Sequence, residues 1–249
     1  MISRTGKVLP YNCNEQKSVQ VERMFDSIAG TYDKLNHTLS FCIDKRWRKK
    51  GIAFLKPFSP ERILDIATGT GDLAVAMQKE LKPKGGIVGV DLSEGMMEVG
   101  RRKAAAAGYA SCISFEQQDC LSLTYADNTF DAVTSAFGVR NFDRIEEGLA
   151  EMYRVLKPGG HLMILELSSP RLFPVKQLYA LYSQTFIPYI GRLLSGEKAA
   201  YHYLPASVKV VPQGEDMAEL LRWQGFVNVG IRTFTGGICS LYTGEKLNE

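Results

Sequence analysis

The chain of 249 residues is expected to form an α/β fold, a Rossmann-like sheet of parallel strands that ends in an antiparallel hairpin. Three observations predict it. Between residues 62 and 167, short apolar runs alternate with helical segments, which calls for parallel strands joined by crossover helices. The first apolar run breaks into Thr68-Gly69-Thr70-Gly71-Asp72, a glycine-rich turn that opens a helix. The last two β runs, 227–234 and 237–246, meet at Gly236-Gly237, and strands joined by so short a turn must be antiparallel.

The elements follow in order. Residues 1–20 are polar and are expected to be a loosely ordered tail. Residues 21–56 carry an interrupted helical pattern, with a turn near Asn36, and form a helical cap. Strand one is 62–67. The helix after it sets Leu73, Ala74, Met77 and Leu81 on one face, and Pro83 with Gly85-Gly86 ends it. Strand two is 87–93, a helix covers 96–107, and strand three is 113–119. Strand four, 130–138, is entered through Asp127-Asn128, and the helix after it, 145–156, is closed by Lys157-Pro158-Gly159-Gly160. Strand five is 161–167. The alternation then stops, and 170–212 is an insertion of helices and loops rich in Tyr, Leu and Pro. A helix at 215–224 precedes the hairpin. Residues 21–249 thus make a single domain.

Composition narrows the function. A hydrophobic fraction of 45% and a charged fraction of 23% are those of an average globular protein. The net charge of +3 is too mild to argue for nucleic acid. No stretch is apolar for long enough to span a membrane, and the first twenty residues hold no apolar signal core, so a cytoplasmic location is expected. Cys13, Cys42, Cys112, Cys120 and Cys239 are scattered, as reduced thiols are, and His37, His161 and His202 lie far apart, so no metal site is expected. Five cations in 39–50 stand beside Phe41 and Trp47. A solvated helix face is the commoner meaning of such a run; peripheral contact with an anionic membrane is the other. A homodimer stays open.

The glycine turn is the sharpest local feature. Gly69 and Gly71 let the main chain take unusual dihedrals and let a ligand approach it closely. Alone, Gly69-x-Gly71-x-x-Ala74 also satisfies the dinucleotide pattern. Three carboxylate positions tilt the choice. Asp91 ends strand two, twenty residues after Gly71, where it can accept both hydroxyls of a ribose. Asp65 and Asp72 flank the glycines, where they would repel a diphosphate and attract a sulfonium and an ammonium. Asp119 ends strand three, where it can accept from an adenine amino group, with the Cys120 N–H beside it. S-Adenosylmethionine is therefore the expected cofactor. An NAD-dependent oxidoreductase is the enzyme alternative, and the second half of the chain supplies no convincing hydride-transfer residues. A nucleic-acid methyltransferase would carry an Asp/Asn-Pro-Pro-aromatic run after strand four, and Ala136-Phe137-Gly138-Val139 is not one.

Several longer motifs accompany the loop: Tyr32-Asp33-x-Leu35-Asn36-x-x-Leu39-Ser40, Trp47, Ala67 to Asp72, Phe137-Gly138-Val139-Arg140-Asn141, the run 153–160 and Tyr201-x-Tyr203-Leu204. Through them the chain, from about residue 20 to 246, resembles the ubiquinone/menaquinone biosynthesis C-methyltransferases. The resemblance implies a class I methyltransferase fold and transfer of a methyl group to a ring carbon of a polyprenyl quinol. Demethylmenaquinol is the first choice of acceptor, a polyprenyl benzoquinol the second. It places Thr70, Asp91, Asp119, Cys120 and Ala136 at donor-binding positions, and Asp65, Gly69, Gly71 and Leu92 complete the expected set. Relatives carry Glu-Phe after strand five and a His near the C-terminus, where this chain has Glu166-Leu167 and Tyr242.

Carbon methylation needs an ionised quinol hydroxyl, whose pKa is about 10 by analogy with tyrosine. Arg140, at the C-terminal edge of the sheet, is the expected charge that stabilises the oxyanion, and Asn141 the group that orients the hydroxyl. A surface ion pair with Asp143 is the competing role for Arg140. His202, Tyr201, Tyr203, Tyr32 and water are all open as proton acceptor. An isoprenoid tail would need an apolar groove, which the insertion offers through Leu172, Phe173, Leu178, Leu181, Tyr182, Phe186 and Ile190; ordinary packing is the other use for them.

Overall fold

Apolar runs without alternation can be buried only on both faces, and they become the central strands. In the computed structural model, which describes residues 5–11, 13–186 and 198–248, β1 (Ile63–Ile66) is buried at every position. It pairs in parallel with β2 (Ile87–Asp91) on one side and β4 (Phe130–Ala136) on the other. β3 (Ile113–Gln117) extends the sheet beyond β2, and β5 (Leu156–Leu167) extends it beyond β4. The order is β3-β2-β1-β4-β5-β7-β6, with β7 (Cys239–Glu245) antiparallel to both β5 and β6 (Val227–Phe234). The chain leaves β1 toward one edge and returns to β4 on the other side. That reversal opens a crevice above the strand ends.

Each face of the sheet buries its own layer of helices. On one face α3 (Ile43–Leu55), α4 (Asp72–Leu81) and α5 (Glu94–Ala106) bring Trp47, Leu55, Leu73, Met77 and Met97 into the core. On the other, α6 (Ile145–Val155) and the helix Glu215–Trp223 contribute Leu149, Met152, Met217 and Leu221. Local chemistry sets the ends: α5 starts where Ser93 Oγ accepts from Met96 N at 3.1 Å. A third cluster joins α1 (Lys17–Ile28), α2 (Tyr32–Leu39) and α8 (Lys198–Val210) through Val21, Met24, Leu35, Ala200 and Tyr203.

Three expectations are corrected. Part of the expected tail is held against the domain: Lys17, in α1, is buried and donates to Thr5 O at 2.7 Å and Phe142 O at 3.1 Å. Asn36 lies inside α2; the break falls at Phe41 and Cys42, which hold φ of 51° and 57°. β5 begins at Leu156 and runs through Pro158, since Leu156 already pairs with Phe130. In the insertion, α7 (Val175–Leu181) leads into a wider turn, Tyr182–Phe186. Ile190 and the Phe186 side chain lie outside what is described. Among the described residues no helix is long and apolar enough to cross a membrane.

Candidate active site

The crevice over β1, β2 and β4 is a cleft of about 990 Å³. The chain leaves β1 through Ala67, Gly69 and Gly71, all in the left-handed region at φ 52°, 53° and 70°. Gly71 has no alternative, because a Cβ there would sit 2.8 Å from the Phe115 ring. Asp91 ties the loop to the end of β2: one carboxylate oxygen accepts from Gly69 N at 2.7 Å, the other from Ser93 N at 3.0 Å. Asp65 is buried beneath, accepting from Thr68 Oγ1 at 2.7 Å and Thr134 Oγ1 at 2.8 Å. Burial outweighs both bonds and pushes its carboxyl up to about 6. Asp119 closes the far side and accepts from Leu121 N at 2.9 Å.

The sequence-predicted residues Asp65, Gly69, Thr70, Asp91, Leu92, Asp119, Cys120 and Ala136 all line this cleft, and Asn141 joins them. Gly71 shapes the loop without lining it. Sequence reasoning missed the roof: Ser18, Glu22 and Phe25 of α1 cover the opening. Their amphipathic spacing was the available signal, blurred by the polar tail before it.

Asp72 is a correction. Lys103 contacts it directly, and Arg48 and His37 each stand 3.6 Å from it. Burial opposes its ionisation, but Arg48 and Lys103 outweigh this and hold the carboxyl below the usual range. Its charge is spent on those partners. Lys103 also binds Asp33 at 2.8 Å, and Asp33 accepts from Thr70 Oγ1 at 2.5 Å, so cap and donor loop share one ionic network. His37, Asp44 and Asp72 come within 4.8 Å of one another, but the Arg48 guanidinium contacts both carboxylates and makes the group an ion-pair cluster.

Tyr32 lines this cleft and also two further cavities, of about 470 and 730 Å³. The smaller is walled by Met24, Phe25, Ile28, Leu35 and Leu39, and Arg140 is the one charged side chain among its described lining residues. Arg140 is buried and its partner is Glu166 of β5, not Asp143: Nη1 donates to Glu166 Oε1 at 2.9 Å and the backbone N to Oε2 at 3.0 Å. Nη1 also contacts Phe137 O. The Nε of Arg140, the hydroxyl of Tyr203 and the Oδ1 of Asn141 are buried without hydrogen-bond partners among the described residues, polar atoms placed for something else to meet.

The candidates for proton acceptor separate. His202 is exposed and lines none of these cavities, so it drops out. Burial pushes the phenols of Tyr32 and Tyr203 up, which keeps them protonated and makes them hydrogen-bond donors rather than bases. The Tyr201 side chain lies outside what is described. Of the two departures from the family pattern, Leu167 lines the larger cavity, whereas Tyr242 is buried in the core and accepts from Gly214 N at 2.8 Å. Tyr153 and Lys157 do have Tyr-x-x-x-Lys spacing, but Lys157 pairs with Asp131 at the opposite end of the sheet, at 2.7 Å, so they form no hydride-transfer pair.

Residues 12–246 match the family described as the ubiE/COQ5 methyltransferase family. The chain is 54% identical to a demethylmenaquinone methyltransferase of Bacteroides fragilis over 96% of its own length and 98% of the relative's. It is 44% identical to the ubiquinone/menaquinone biosynthesis C-methyltransferase UbiE of Geobacter sulfurreducens, covering 96% and 93%. A solved SAM-dependent methyltransferase from Thermotoga maritima superposes with a TM-score of 0.61 at 19% identity, covering 90% of this chain and 99% of that one. At that identity the likeness speaks for the fold.

Proposed function

The chain belongs to the ubiE/COQ5 methyltransferase family, and from that premise we propose how its cavities divide the work of methylating a quinol. It is an S-adenosylmethionine-dependent methyltransferase, and demethylmenaquinol is the acceptor its relatives' names support. A polyprenyl benzoquinol is the alternative acceptor. The observation that carries the division is that an acidic cleft and an apolar cavity, with one cation among its described lining residues, meet at Phe25 and Tyr32.

The cleft suits the donor. Asp91 and Asp119, each held by backbone N–H groups, match ribose hydroxyls and an adenine amino group through their remaining lone pairs, and Asp65 lies under the position of a cationic amino-acid moiety. The one cation among its described lining residues, Arg48, is already engaged by Asp44 and Asp72, so no free cation there meets a diphosphate. Bound there, S-adenosylmethionine supplies an electrophilic methyl group that needs no metal.

The protein's task is to make a ring carbon nucleophilic and to aim it. We assign the quinol ring to the smaller cavity, where the free Nε of Arg140 and the Tyr203 hydroxyl donate to the hydroxyl adjacent to the reacting carbon. Two donors, one of them cationic, lower the pKa of that hydroxyl, so water takes its proton; once the carbon has taken the methyl group, its own hydrogen passes through water to that oxygen as the ring regains aromaticity. Glu166 holds Arg140 in place without occupying its Nε. Asn141, on the donor side, orients the ring from the other edge. Transfer then becomes a matter of alignment. The larger cavity, lined by Leu39, Trp47, Leu167, Tyr179 and Tyr182, receives the start of the tail. Such a substrate supports a cytoplasmic protein working at the inner face of a membrane.

Arg140→Ala should leave the donor affinity within about twofold and cut turnover at least about tenfold, a loss above 1.4 kcal/mol of transition-state stabilisation. Calorimetric titration with the donor, paired with steady-state kinetics, checks this. Unchanged turnover would remove Arg140 from the chemistry.

A further inference from the structure

A tailed quinol must reach the larger cavity from a bilayer, and the molecular surface beside that cavity is unusual. Phe41, Leu172, Phe173, Leu178 and Leu181 are 68%, 75%, 81%, 64% and 63% exposed, the most exposed large apolar side chains of the described residues apart from Trp223. The elements that carry them are in contact. The Phe41 ring lies 6.5 Å from that of Tyr182, which lines the cavity together with Ser40 and Tyr179. Val175 packs on the Gly236 turn, and Trp47 of α3 donates to Thr235 Oγ1 in the same turn at 2.9 Å. The α2–α3 turn, α7 and the β6–β7 turn thus form one rim.

Charge on this rim has one sign. Lys45, Arg46, Lys49 and Lys50 are exposed on the outer face of α3, opposite the buried Trp47, Arg48 and Leu55. Arg171 and Lys176 are exposed beside the apolar side chains of 172–181. Arg232 shares a β6 face with Phe234, over which Lys50 Nζ sits at 4.9 Å. None of these seven forms an ion pair among the described residues. Segments 40–55, 168–186 and 227–238 contain one acidic residue, Asp44, which is buried. The whole chain carries only +3, so the positive charge is concentrated here.

We propose that this rim docks on an anionic lipid bilayer, its apolar side chains entering the interface and its cations meeting the headgroups, so that the cavity mouth opens into lipid. Exposed apolar anchors and a polybasic surface are the two signals that stable but reversible membrane attachment needs. The occupant is lipid rather than a second copy of the chain, because a symmetric contact through this face would set like charges against each other. The proposal rests on the tailed quinol as acceptor.

The test is flotation of the full chain with vesicles of phosphatidylcholine alone and with phosphatidylglycerol added. Binding should appear with the anionic vesicles, weaken as salt is raised, and fall at least about tenfold both in Phe173→Ser/Leu178→Ser/Leu181→Ser and in Lys45→Gln/Arg46→Gln/Lys49→Gln. Both triple variants should keep wild-type methyl transfer to a short-tailed quinol in solution and lose it toward a long-tailed quinol in vesicles. Equal binding to neutral and anionic vesicles, no binding, or full binding by both variants would overturn docking. So would a dimer in sedimentation that either variant dissociates. No methyl transfer to the short-tailed quinol by the wild type would instead reject the acceptor assignment.

Discussion

At the scale of single residues, the donor loop sets two opposing demands on the same side chains. Gly71 combines φ of 70° with a neighbouring ring where a Cβ would lie. Gly71→Ala should therefore cost about 2–4 kcal/mol of stability, from backbone strain and overpacking together, and weaken donor binding; urea unfolding and donor titration check it. Gly69 has only Met96 near its missing Cβ, at 3.4 Å, so Gly69→Ala should cost about 1 kcal/mol. Asp65 gives a pH signature. Its folded pKa, about 6, lies above its unfolded value, so between pH 4 and 6 the folded state holds more protons and stability falls as pH rises. Asp65→Asn should flatten that slope, add about 1–2 kcal/mol above pH 6, and weaken the donor. Thermal melts across pH test the slope; an unchanged slope would place the burden on another group.

At the scale of elements, most of the sheet could be read in advance and most of the ionic wiring could not. β1, β2 and β4 are short, mostly buried runs rich in Ile, Val, Leu and Ala, and burial on both faces leaves such runs few options. Asp91 and Asp119 follow from strand ends in the same way. The network of Asp33, His37, Asp44, Arg48, Asp72 and Lys103 draws on four helices, and partners separated by up to 70 residues leave no local trace. For the same reason the pairing of Arg140 with Glu166, 26 residues away across β4 and β5, was not legible, nor was the anchoring of the first helix through Lys17. Lys103→Met isolates what that wiring does. The pairs are partly exposed, so the stability cost should be only about 1 kcal/mol. Donor release should quicken severalfold, because Lys103 no longer bridges Asp33 to Asp72 and only the Thr70 hydroxyl then links Asp33 to the loop. Stopped-flow displacement measures it, and unaltered release would make the network a matter of stability alone.

At the scale of the whole molecule, the cleft is roofed by α1 and walled by strands from both halves of the sheet, so donor binding should stabilise the chain as a unit. At a donor concentration one hundred times Kd the gain should be about 2.7 kcal/mol, which for this size raises Tm by about 5–10 °C. A dinucleotide should give no shift. The most direct measurement of the central claim is methyl transfer itself: the full chain, S-adenosylmethionine labelled in its methyl group, and demethylmenaquinol or its benzoquinol counterpart, with the label located in the product. The account predicts one labelled methyl per acceptor, attached to a ring carbon, with demethylmenaquinol the faster substrate. Label on oxygen, or a donor bound tightly yet never passed to either quinol, would contradict it.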